Sequence, residues 1–150
     1  MDEQRGIIKN RNYATQIKDF SGLRYGKITP TDIDGFIDFG NKLFIFMETK
    51  FKESLLPYGQ RLALERLVDN GTVAYSLGII SEHETNGDID MANCIVREIR
   101  WKKVWYIPKT AKSVKETIDS VLELYLPNYL LGEISETLSD TELDRIAKLL

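Results

Sequence analysis

Glu48, Thr49 and Lys50 put a carboxylate and an ammonium two residues apart at the end of the apolar run Leu43-Phe44-Ile45-Phe46-Met47. Alternate side chains of a β-strand share a face, so Glu48 and Lys50 project together. Upstream, Thr31-Asp32-Ile33-Asp34-Gly35-Phe36-Ile37 brings further carboxylates to the head of a second β-like segment, and Gly40-Asn41 supplies turn chemistry between the two. An acidic hairpin of this kind suits metal chemistry. Two carboxylates can hold a hard divalent cation such as Mg²⁺, which keeps several waters and bridges to phosphate oxygens. The metal lowers the pKa of a bound water, and a neighbouring ammonium orients that water and stabilises developing charge. Phosphodiester hydrolysis requires those parts.

The hairpin has to meet one geometric condition. A two-residue loop at Gly40-Asn41 pairs Phe39 with Lys42, which sets Asp34 opposite Met47 and puts Asp34 and Glu48 on opposite faces. A three-residue loop, Gly40-Asn41-Lys42, pairs Asp34 with Glu48 directly. A functional site therefore predicts the longer loop, or an equivalent β-bulge.

The elements that must hold this hairpin follow from periodicity and turn signals. Ile7 to Ile17 carries scattered apolar positions that fit a helix, ended by Ser21-Gly22, and Leu23 to Ile28 alternates like a first strand before Thr29-Pro30. Ile33–Phe39 and Lys42–Lys50 follow as second and third strands. Pro57 precedes a helix over Tyr58–Val68, with Leu64, Leu67 and Val68 at helical spacing and Asn70-Gly71 as its stop. Thr72–Ile80 is apolar almost throughout, as a central strand covered on both faces would be. Ser81–Asp90 reads as a polar loop and Ile95–Tyr106 as one strand or a short hairpin. Ser113 leads into a helix bearing Val114, Ile118, Val121, Leu122 and Tyr125, ended by Pro127. Ser139-Asp140-Thr141-Glu142 has the capping-box pattern of a final short helix with Leu143, Ile146, Leu149 and Leu150. The expectation is a single α/β domain over 1–150 around a mixed sheet, with a core at about 1–80 and a β/α extension at about 90–150.

Length and composition agree with an ordinary globular domain of 150 residues, able to bury roughly two-thirds of the surface its unfolded chain exposes. Cys94 is the only cysteine, so no intramolecular disulfide exists and a reducing cytoplasm is the expected compartment. The opening Met1-Asp2-Glu3-Gln4-Arg5 has no apolar signal core, and no apolar run approaches the twenty or so residues of a membrane helix. Neither secretion nor a membrane association is expected. The net charge of −3 divides unevenly: residues 1–115 carry an excess of three bases and 116–150 an excess of six acids. A nucleic-acid surface therefore belongs on the first part, with the tail as a solvated helical face.

Pro30-Thr31-Asp32-Ile33-Asp34-Gly35-Phe36 followed by Phe46-Met47-Glu48-Thr49-Lys50 resembles the active-site signature of the PD-(D/E)XK nuclease superfamily, over roughly residues 1–80. The predicted helix, three strands, helix, strand is similar to that superfamily's restriction-endonuclease-like αβββαβ core. Compactness and the Tyr58-Gly59-Gln60 segment look like its small phage-encoded members, which include Holliday-junction resolvases and exonucleases. The resemblance implies a Mg²⁺- or Mn²⁺-dependent DNA endonuclease acting on branched or recombination-intermediate DNA. It implies Asp34 and Glu48 as metal ligands, Lys50 as the catalytic lysine and Gln60 as a further catalytic residue. It also implies a homodimer, because two active sites are needed to cut both strands, and the cytoplasm of a bacterial host if the protein is phage-encoded.

Other readings stand beside these. Asp34, Glu48 and Lys50 also fit an exposed cross-strand ion pair, or a nuclease fold that is catalytically silent and acts by binding DNA or a host protein. Asp32 fits a second metal ligand, a turn-capping residue after Pro30, or the ligand in place of Asp34; Gln60 fits a solvent-facing polar residue. Arg24 and Lys27 beside the hairpin, with Arg100, Lys102 and Lys103, are candidate phosphate contacts. Trp101 and Trp105 read as packing, Cys94 as a small core residue, and His83 as exposed in its loop.

Overall fold

Leu43 and Ile45 have no exposed surface at all, and Phe46 and Met47 almost none, so the run identified above is covered on both sides. It forms strand β2 (Leu43–Phe51), preceded by the short strand β1 (Gly35–Phe39). Helix α1 (Tyr58–Asp69) then carries the chain to β3 (Tyr75–His83), after which come β4 (Ile95–Trp101), β5 (Val104–Tyr106), helix α2 (Val114–Tyr125) and a single turn, α3 (Pro127–Leu130). The computed structural model describes residues 16–17, 19–130 and 147–149 of the chain. Two compact units, 1–32 and 33–150, divide it.

The second unit is an α/β structure on a five-stranded mixed sheet in the order β1-β2-β3-β4-β5. Only β2 and β3 run parallel; the other pairs are antiparallel. A parallel pair needs a crossover, and α1 supplies it. On one face Leu43, Ile45, Met47, Leu77 and Ile79 pack with Cys94 and Val96 against Val114, Ile118 and Leu122 of α2. On the other, Phe46 and Ile80 meet Leu64 and Val68 of α1. Double cover explains why β2 and β3 read as continuous apolar runs rather than alternating ones. Helix α2 begins where the sequence predicts, with the Ser113 hydroxyl accepting the Glu116 N–H (3.1 Å), and its start is tied to β4 because Val114 N–H donates to the Cys94 carbonyl (2.9 Å).

Three expectations need correction. Leu23–Ile28 is not a strand. Ser21–Leu23 is a 3₁₀ turn, and Tyr25 and Ile28 exchange hydrogen bonds of 2.9 and 3.0 Å across a two-residue turn with Gly26 at φ +64°. Left-handed backbone in mid-segment folds the alternation into a turn, and Leu23, Tyr25 and Ile28 are all at least half exposed. Among the described residues, two strands rather than three therefore precede α1, so the three consecutive strands expected there do not appear as written. The segment expected to be a polar loop from Ser81 begins later, because β3 runs on to His83 and Ser81 is wholly buried between β2 and β4. The helix expected over Ile7–Ile17 falls almost entirely outside the described residues; of the one expected after Ser139, only 147–149 are described, and they are helical. Among the described residues no helix is long and apolar enough to cross a membrane.

Helix α1 sits close on the sheet because Gly78 lies beneath it. A Cβ at that position would come to 3.0 Å from Val68 Cγ2 and 3.1 Å from Arg100 Cβ. Gly78→Val overfills this contact between helix and sheet and is expected to cost about 1–3 kcal/mol, read as a lower midpoint in chemical denaturation with circular dichroism. An unchanged midpoint would show that α1 is not seated as described.

Candidate functional site

The hairpin has the longer loop. Gly40-Asn41-Lys42 separates Phe39 from its partner Leu43, and the ladder runs back to Gly35 opposite Met47. Gly40 and Asn41 both take left-handed backbone (φ +57° and +59°), the Asp38 carboxylate accepts the Asn41 N–H (2.6 Å), and the Lys42 N–H closes on the Phe39 carbonyl (3.0 Å). Glycine is required at the first position, since a Cβ there would run into the Tyr129 hydroxyl. The ladder ends there: Asp34 is a bend just before β1, and its Oδ2 accepts the Thr49 N–H at 2.9 Å, closing the end of the hairpin through a side chain.

Glu48 is 5% exposed, at the point where the apolar run gives out. It pairs across the sheet with Ile80, and Ile80 with Glu98, so Glu48, Ile80 and Glu98 form one row on the side that α1 covers. Helix α1 is held over this row by charge. Arg61 clamps Glu98 with two hydrogen bonds of 2.6 and 2.8 Å while its guanidinium lies over the Trp105 ring at 4.4 Å, and Trp105 Nε1–H donates to Glu65 (2.6 Å). Eight residues further along α1, Asp69 receives two hydrogen bonds from Arg100 (3.1 and 2.6 Å). These bidentate pairs are the strong form of the ion pair and fix both the position and the rotation of the helix.

Gln60, the residue before Arg61, lies in the first turn of α1. Its amide oxygen is buried without a hydrogen-bond partner among the described residues, and so is the Thr49 hydroxyl. A buried acceptor left unsatisfied costs about 1–3 kcal/mol unless a water or ion completes it. Lys50, on the same face as Glu48 and one strand residue pair further on, lies beside Glu82. Glu82 is taken by Arg97, the extra residue of a β-bulge in β4, whose guanidinium also donates to the Ser54 and Phe51 carbonyls. None of the ion pairs among the described residues uses Lys50.

The other residues singled out from sequence are not gathered here. Arg100 is spent on Asp69 and Trp105, so its guanidinium serves packing rather than a phosphate. Lys102 and Lys103 are exposed in the two-residue turn between β4 and β5, both with left-handed backbone, at the opposite end of the sheet from Glu48. Trp101 stacks with Tyr75 at 5.9 Å and packs against Tyr125. Arg24, Lys27 and Asp32 belong to the first unit and are exposed. His83 ends β3 with its ring edge-on to Phe51 and Nδ1 3.1 Å from the Thr85 carbonyl, and Cys94 is buried in the core as expected. Arg61, Glu65, Asp69 and Glu98, which set the helix over the row, were not singled out; their only sequence trace is a charge at each of two points on one helix and one strand.

Among the described residues no three His, Cys, Asp or Glu side chains converge as a metal cage. No family model matches the chain, and no curated protein or solved structure matches it either.

The Arg61 hydrogen bonds hold the Glu98 carboxyl below its ordinary value of 4.5, and Glu98 in turn raises Arg61. A lowered folded-state pKa means that the stabilisation is complete above the ordinary glutamate pKa and is lost as pH falls through the folded value. Glu98→Gln should therefore cost about 1–3 kcal/mol at neutral pH, with the gap between wild type and variant closing as acid denaturation approaches. Denaturation curves taken from pH 7 to pH 3 check it; a gap that stays constant with pH would deny the clamp its charge.

Proposed function

We propose that the chain is a Mg²⁺-dependent deoxyribonuclease, a DNA endonuclease of the PD-(D/E)XK type on a restriction-endonuclease-like fold. The observation that carries this reading is the end of the apolar run: Lys50 stands on the same face as the buried Glu48, and behind a three-residue hairpin loop the Asp34 carboxylate accepts the N–H of Thr49, the residue between them.

Asp34 and Glu48 would hold the cation. When bound, Mg²⁺ supplies Lewis acidity toward a phosphate oxygen and acidifies a coordinated water. The Lys50 ammonium stands two residues from Glu48, where it positions the attacking water and offsets the charge that builds on the phosphate oxygens. The Gln60 amide oxygen accepts a hydrogen bond from water at the same end of the sheet. Arg61, gripping Glu98, keeps Gln60 over the row and acts by positioning alone.

The test is cleavage of branched, linear duplex and single-stranded DNA by the purified chain at several Mg²⁺ and Mn²⁺ concentrations. Cleavage that chelation abolishes is expected, with Glu48→Ala and Lys50→Ala each reducing it by about 100-fold or more. If wild type and variants are equally inert while DNA binding persists, the fold acts by binding and the enzyme reading fails.

A further inference from the structure

Lys50 and Glu82 are direct partners across the parallel strands β2 and β3. Their backbones are therefore roughly 4.8 Å apart, and both side chains leave the sheet on the same face. An ammonium and a carboxylate so placed would ordinarily join. Here the Lys50 ammonium enters no ion pair among the described residues, and Glu82 is held instead by Arg97, whose Nε donates to it at 2.8 Å.

An irregularity in β4 puts Arg97 in position for this. The register shifts between Ile80 and Ser81, which pair with Glu98 and Val96, so Arg97 between them faces no residue of β3. The extra residue of a bulge is re-aimed relative to its neighbours. The whole guanidinium is then committed: Nη1 donates to the Ser54 carbonyl (2.5 Å) and Nη2 to the Phe51 carbonyl (3.1 Å), both in the turn that follows Lys50. With all three nitrogens engaged, the planar fork has little freedom to release Glu82. The other cation within electrostatic reach of Glu82, Lys52, is itself paired with Glu84 at 2.9 Å.

A carboxylate already bonded to a guanidinium competes weakly for a second cation. A lysine joined to glutamate would have to break that pair before it could meet a phosphate. Resting on the nuclease reading above, we infer that Arg97 is a positioning residue for Lys50: it occupies Glu82 and so leaves the Lys50 ammonium free to meet a phosphate oxygen. Arg97 acts through Glu82 and makes no contact of its own with DNA in this role.

Contact between the two side chains is read with a water-soluble carbodiimide, which joins an amine to a carboxylate that it touches. The whole chain is treated without DNA or metal, and the Lys50–Glu82 crosslink is quantified by mass spectrometry. Arg97→Gln should raise that crosslink about 2- to 5-fold, the range set by a partly exposed ion pair, and should slow DNA cleavage by a similar factor. Adding Glu82→Gln to Arg97→Gln should return cleavage to near the wild-type rate. A role confined to holding the turn over 51–54 allows no such recovery, so its absence overturns the inference. A crosslink that Arg97→Gln leaves unchanged overturns it as well. Should Arg97→Gln fail to fold, Glu82→Gln alone decides: unchanged cleavage is expected, and faster cleavage would show that Glu82 already holds Lys50 in the wild type. If the crosslink rises as expected but the wild type cuts no DNA, the nuclease reading fails and the role toward phosphate falls with it, while the hold of Arg97 on Glu82 stands.

Discussion

Leu43, Ile45, Leu77 and Ile79 are fully shielded on one side of the sheet, and Phe46 and Ile80 on the other, so β2 and β3 must be flanked by strands and roofed by helices. That constraint orders everything else. A parallel pair cannot be joined by a hairpin, so the chain leaves β2 at one end, returns through α1, and enters β3 at the other. Helix α1 thereby runs back over the strands it connects, and its first turn comes to rest above the strand ends where Glu48 and Lys50 stand. The polar row lies at the margin of the apolar cover, not in its middle.

Helix and sheet meet with little room to adjust. Gly78 lets α1 approach to side-chain contact, and the Arg61–Glu98 and Asp69–Arg100 pairs set its angle at two points, with Trp105 lying against both guanidinium groups. Ion pairs of this kind contribute modestly to stability because removing the charges from water costs nearly as much as their attraction returns. Their geometric effect is larger. A helix held only by Leu64 and Val68 could rotate by a few degrees, and Gln60 would move with it.

Much of this was legible in the chain. Pro57 and Asn70-Gly71 bounded α1 within a residue or two, Ser113 and Pro127 bounded α2, and the apolar runs marked β2 and β3. The hairpin register was legible only as a choice between a two- and a three-residue loop, which differ in the face every side chain takes; the structure has the longer one. What escaped has two physical causes. Alternation at Leu23–Ile28 is satisfied equally by a strand and by a turn, and only the left-handed backbone at Gly26 decides between them. The Arg61–Glu98 and Asp69–Arg100 pairs join residues 37 and 31 positions apart, a separation at which local pattern carries no information. Arg100 accordingly read as a surface cation, whereas its guanidinium is turned inward to Asp69.

Glu48 remains the residue that packing does not account for. It continues an apolar run, it is 5% exposed, and its neighbours along the row are Ile80 and the clamped Glu98. Even a well-partnered carboxylate in such a place stabilises a fold no more than an apolar side chain of similar volume would. On the same face Glu98 is met by Arg61 and Glu82 by Arg97, so this margin of the core takes up carboxylates where the fold brings guanidinium groups to them. A chain selected for stability alone would have ended the run with another leucine, and that is why Glu48, rather than any residue of the apolar cover, is the one whose replacement bears on function.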